Sequence, residues 1–133
     1  MPTQTQAGLQ RVADDLAASV ERACAAGVSR EQLAVDPGIG FGKTLKQNLA
    51  FLRDHGPVAK LNLPVFIGPS RKSFIGAINV AEVGERLMGT AAAVAAAVLG
   101  GASFVRVHDV AEMRQVIDVA QAIRASAQGH DLP

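Results

Sequence analysis

Three short polar clusters hold the residue types that do chemistry: Asp36-Pro37-Gly38-Ile39-Gly40-Phe41-Gly42-Lys43, Ser70-Arg71-Lys72-Ser73 and Arg106-Val107-His108-Asp109. Each follows an apolar, strand-like run. In parallel α/β folds the strand ends at one face carry the chemistry, so a carboxylate, a lysine and an Arg/His pair delivered by successive strands can converge on one ligand. The pattern reads as part of an enzyme.

Asp36 closes an apolar run, and a carboxylate so placed can accept paired hydrogen bonds from an amidine- or guanidine-like edge. It can equally cap a helix or stabilise a turn, and on the residues alone both readings stand. The glycines that follow let the backbone approach a flat ligand closely. Their GxGxG spacing is not the dinucleotide GxGxxG fingerprint. Gly42-Lys43-Thr44 is not the end of a phosphate loop either, since Pro37 stands where its first glycine belongs. Arg71 and Lys72 set two cations between the hydroxyls of Ser70 and Ser73, and Ser73 can present a helix N-terminus to an anion; a solvated basic turn is the alternative. Arg106 and His108 are two apart on a strand and so share a face, opposite Val105 and Val107. An Arg/His pair there suits an anion that gains charge during reaction, such as a departing pyrophosphate. His55 and His130, in a turn and a tail, carry no site role.

The elements that must deliver these clusters follow from periodicity. Leu9, Val12, Leu16, Val20 and Ala23 or Cys24 predict an amphipathic helix from about Thr5 to Ala26, stopped by Gly27. Leu33 to Val35 predicts a brief strand ending at Asp36, where Pro37 disfavours helical geometry. Leu49, Phe51 and Leu52 predict a helix broken near Gly56-Pro57, and Leu63 to Ile67 a buried strand. A short helical piece from Phe74 to Ile78 and a turn near Gly84 lead to an alanine-rich helix ending at Gly100-Gly101. Its small side chains let it lie close to a sheet or another backbone. Ser103 to Val107 predicts a third strand. Val110, Met113, Val116 or Ile117, Ala120 and Ile123 mark a last helix that frays from about Ser126. Strand and helix alternate, which argues for parallel strands in right-handed crossovers.

A length of 133 residues suits one domain, or about half of a barrel of roughly 250 residues. A net charge of +1 without a block of like charge leaves no footprint for nucleic acid or an anionic membrane. Thr90 to Leu99 is far short of the ~20 apolar residues a membrane helix needs, and no signal peptide opens the chain. The single cysteine, Cys24, fits a reducing, cytoplasmic setting, and its helical spacing from Val20 predicts a packed core thiol.

The three clusters match, in order, the DPGxGF(G)K, SRKS and RVHD motifs of the dihydropteroate synthases, and Glu85-Arg86-Leu87 with Gly89-Thr90 resembles that family's ERL.GT segment. The chain resembles the second half of that family from its first helix to about Ile123. The resemblance implies an α/β fold, the C-terminal part of a (β/α)8 TIM barrel, with about three parallel strands and flanking helices. Residues 1–133 would form a partial pterin-binding domain holding strands six to eight. The implied activity joins 7,8-dihydropterin-6-ylmethyl diphosphate to p-aminobenzoate, giving 7,8-dihydropteroate and pyrophosphate in folate synthesis.

Family roles carry onto matching positions. Asp36 would bind the pterin's 2-amino and ring N–H edge, and Lys72 the pterin oxygen and ring nitrogen. Arg106 would flank the pterin and, with His108, hold the diphosphate. Phe41, Arg71, Lys72 and Ser73 would border the p-aminobenzoate pocket, with Gly40 among the substrate-binding residues. Lys72, Arg106 and His108 are the implied catalytic residues. Magnesium is implied for the complete enzyme, its loop ligand belonging to the first half. That half, with its opening strand and loop arginine, is missing. The expected partners are the two small-molecule substrates and either a second copy of the chain or an N-terminal half, with no nucleic acid or membrane. Alone, the sheet would leave Val35, Val65, Ile67, Val105 and Val107 uncovered and self-associate. A nonenzymatic, self-associating half-barrel with residual pterin or anion binding is the alternative reading; a related pterin-binding methyltransferase fits the motifs less well.

Overall fold

The computed structural model describes residues 3–69, 75, 78, 86–127 and 129. Ser70, Arg71, Lys72, Ser73, the turn near Gly84, Glu85 and His130 lie outside them.

Helix α1 spans Gln4–Ala25. Thr3 and Gln6 form a reciprocal capping box that satisfies two amides otherwise left open at the helix start. Gly27, at φ +102, ends it: its N–H donates to the Cys24 carbonyl and that of Val28 to Ala23, a left-handed cap that favours glycine. Leu9, Ala13 and Val20 are buried, and Val12 and Leu16 pack beside them. Cys24 is exposed, which corrects the expected core thiol. The buried stripe ends at Val20, a turn before the helix does, and in the last turn only Ala23 is partly covered.

Helix α2 is Leu45–Asp54 and β1 is Phe66–Ile67. Helix α3 is Leu87–Leu99, β2 is Phe104–Val105, and α4 is Val110–Ala127. Ile75 and Ile78 are helical. Strands β1 and β2 run parallel, Phe66 opposite Phe104 and Ile67 opposite Val105. The predicted first strand is reduced to a single parallel bridge, Val35 opposite Val65. On one side the Leu33 N–H is taken by the Arg30 carbonyl of a 3-10 turn; on the other, Asp36 turns back on its own loop. One residue is left to pair. The order Val35, β1, β2, with helices between successive strands, is a parallel α/β arrangement.

One face of this sheet is filled. Val35, Val65 and Ile67 are buried, and Val105 is partly buried, against the helices. Val107 packs with Val105 against a second cluster of Val94, Val98, Met113 and Ala120 between α3 and α4. These valines and Ile67 are therefore not the uncovered side chains that the sequence suggested. Phe66 and Phe104 occupy the other face, stacked with centroids 5.5 Å apart, and Phe104 is 50% exposed. Strand alternation separates two faces, but only the crossover helices decide which one is covered.

Helix α3 is apolar all round because it is packed on two sides. Ala93 and Ala97 join the core beneath α1 and α2, while Val94 and Val98 face α4. At its end the chain comes so close to α2 that a Cβ on Gly100 would lie 2.8 Å from the Arg53 carbonyl oxygen. Arg124 of α4 donates to the Val98 carbonyl at 2.9 Å, placing a cation on the negative end of α3. No helix among the described residues is long and apolar enough to cross a membrane.

Candidate active site

Because the three paired segments run parallel, their carboxyl ends share one rim. Asp36 follows Val35, Gly68 follows β1, and Arg106 follows β2. The Arg106 guanidinium crosses Gly68, where a Cβ would stand 2.5 Å from Nη2; it lies 5.6 Å from the Phe66 ring centroid and brings Nη1 to 3.7 Å from Asp36 Oδ2. Glycine is needed at position 68 for that path, a role the sequence did not single out.

The two readings of Asp36 coexist. Oδ1 accepts the Gly38 N–H at 2.7 Å, a turn-stabilising bond, while Oδ2 looks toward Arg106. Both side chains of that pair are solvent-accessible and the separation is long, so the pairing is weak. A ligand offering N–H groups to Oδ2 and an anion to the guanidinium can replace it.

The loop after Asp36 explains its glycines. Gly38, Gly40 and Gly42 all have positive φ, at 72, 86 and 61°, which a side chain would strain. Between them Ile39 is buried as a root and Phe41 is 65% exposed at the tip. Lys43 turns back under the loop: Nζ donates to the Gly38 carbonyl at 2.7 Å and the Phe41 carbonyl at 3.2 Å, and stands 5.9 Å from the Phe51 ring centroid. Burial pushes its pKa below the ordinary lysine value, opposed by the nearby Asp36 carboxylate. From α2, the buried Asn48 accepts the Gly40 N–H at 2.9 Å. Thr44, boxed with Gln47, starts that helix just beyond the loop.

Of the predicted site residues, Asp36, Gly40, Phe41, Arg106 and His108 are described. Asp36 and Arg106 meet; Gly40 and Phe41 lie in the adjoining loop; His108 is exposed two residues beyond Arg106. Arg71, Lys72 and Ser73 are outside the described residues. Sequence reasoning missed Lys43 and Asn48 as supports of the loop. Their partners are backbone atoms, which bear no residue signature, although a lysine directly after three alternating glycines was a clue.

Comparison with known proteins gives the chain its family. Residues 1–108 match the family described as pterin binding enzyme. The chain is 48% identical over 107 residues to dihydropteroate synthase of Synechocystis sp., covering 80% of this chain but 37% of that protein. It is 37% identical over 122 residues to a Mycobacterium tuberculosis protein named inactive dihydropteroate synthase 2, covering 92% of this chain and 38% of the other. A Coxiella burnetii dihydropteroate synthase solved in complex with pteroic acid superposes with a TM-score of 0.89 at 36% identity, over 93% of this chain and 46% of that one. The chain thus spans less than half the length of these relatives, and it belongs to the pterin-binding enzyme family.

Proposed function

We propose that this chain supplies strands six to eight of a (β/α)8 barrel that, when whole, is a dihydropteroate synthase of the cytoplasm. The observation that carries this reading is the meeting of Asp36 and Arg106 over Gly68, on a rim flanked by a glycine loop that displays Phe41. Asp36 Oδ2 accepts N–H groups from the pterin edge. Arg106, with His108, takes the diphosphate and stabilises the charge that collects on it as the bond to the pterin methylene breaks. The cation left on the methylene is spread over the ring, so the remaining task is to align the arylamine nitrogen. Phe41 borders that arylamine with Gly40, and Arg71, Lys72 and Ser73 complete the pocket, Ser73 toward its carboxylate.

Among the described residues no group of three His, Cys, Asp or Glu is placed to hold a metal ion, and Asp36 faces a guanidinium, a poor neighbour for a divalent cation. The described donors do not gather round a magnesium ion, and on the family reading its loop ligand comes from the first half of the complete enzyme.

The likeness to a protein named inactive keeps a second reading, a pterin-binding half-barrel without turnover. Calorimetric titration of the chain with pteroic acid tests the shared element: saturable binding that Asp36→Asn weakens is expected, and no binding by the parent chain overturns the reading. Formation of dihydropteroate when an upstream half is co-expressed then separates synthase from silent relative.

A further inference from the structure

We propose that Lys43 and Asn48 are positioning residues that hold Phe41 at the height where it borders the arylamine half of the ligand, an inference resting on the pterin-binding reading above. Every glycine of the loop has positive φ, so the backbone there is permissive and would sample many shapes if left alone. Two side chains from outside its arch restrain it. Lys43 Nζ gathers the carbonyls of Gly38 and Phe41, the two ends of a turn closed by the Phe41 N–H on the Gly38 carbonyl at 3.1 Å. Asn48 fixes the Gly40 amide from the first turn of α2, and at 4% exposure its own side chain has little room to move.

The staples bear on one half of the site more than on the other. Asp36 is oriented by its own bond to the Gly38 N–H and by the Val35 bridge before it, so its position does not depend on the tip. The Gly40 and Phe41 peptides that carry the exposed ring are the ones the two staples reach. Loosening the loop should therefore cost affinity for the aryl end of a ligand before it costs affinity for the pterin end.

The test uses the isotope-labelled full chain. Amide exchange is followed by NMR in the parent, Lys43→Met, Lys43→Arg and Asn48→Leu, with titrations of pteroic acid, which has both halves, and 6-hydroxymethylpterin, which has one. Loss of one such hydrogen bond should speed exchange about tenfold, at the Phe41 amide in Lys43→Met and the Gly40 amide in Asn48→Leu, with the Phe66 amide unchanged. Lys43→Met should weaken pteroic acid about tenfold and 6-hydroxymethylpterin less than about threefold, and Lys43→Arg should restore both exchange and affinity. Unchanged loop exchange, or equal losses for the two ligands, overturns the proposal. If Asn48→Leu does not fold, the lysine variants decide alone. A parent chain that binds neither ligand overturns the pterin reading instead, and the exchange pattern still decides whether the staples exist.

Discussion

The two faces of the sheet are built to different standards. Val35, Val65 and Ile67 are buried beneath α1 and α2, whereas Phe66 and Phe104 stack on the opposite face with Phe104 half in solvent. The first face is completed by helices that arrive with each crossover, so the sequence between two strands brings its own cover. The second has no such cover among the described residues. On the proposed barrel reading the helix-covered face is the outer one and the phenylalanine face the inner one, and the rim residues sit where the two meet.

The largest effect should separate the faces. Ile67→Ala removes fully buried atoms and should destabilise the chain by about 2–5 kcal/mol, while Phe104→Ala should cost well under half as much; equal losses in denaturant unfolding would show that the second face is covered after all. Next, the uncovered face should drive association. Light scattering should find the parent chain larger than a monomer, and Phe104→Lys should shift it toward one; a monodisperse parent monomer would remove the contrast. A smaller change is expected where α2 meets α3. Gly100→Ala forces a Cβ against the Arg53 carbonyl and should cost about 1–3 kcal/mol by overpacking, measurable as a lower thermal midpoint. Thr44→Ala, which opens the capping box of α2, should cost about 1 kcal/mol.

The smallest effect is a pH dependence. Lys43 has its pKa lowered in the fold by burial, so between the folded and unfolded values the unfolded chain binds more protons and stability rises with pH. The destabilisation is fully present below the folded value and fades as pH climbs toward 10.5. Relative to Lys43→Met, the parent should therefore gain stability in alkaline urea titrations; a parallel pair of curves would contradict the burial argument.

What was legible in the sequence were the features set by local rules. Apolar spacing gave α1 to within a residue or two, and the glycine stops at Gly27 and Gly100 followed from the left-handed cap and from alanine-rich packing. The convergence of Asp36 and Arg106 was legible because parallel strands put their ends on one rim. Periodicity could not say where the body beneath α1 stops, so Cys24 was placed inside. Strand parity could not say which face the helices cover, so the valines were assigned to the wrong side. Nor could it say that Arg30 and Asp36 would draw the flanks of Val35 into turns, leaving one bridge from a predicted strand.

The misplaced thiol has a practical consequence. Cys24 is the chain's only cysteine, it is exposed, and it sits where α1 hands over to the Val35 bridge, at the end of the sheet opposite the rim. A maleimide dye there would report on tumbling and assembly without touching Asp36 or Arg106. In air, the same sulfur can couple two chains covalently, so any measured dimer must be read with a reductant present before it is credited to the phenylalanine face.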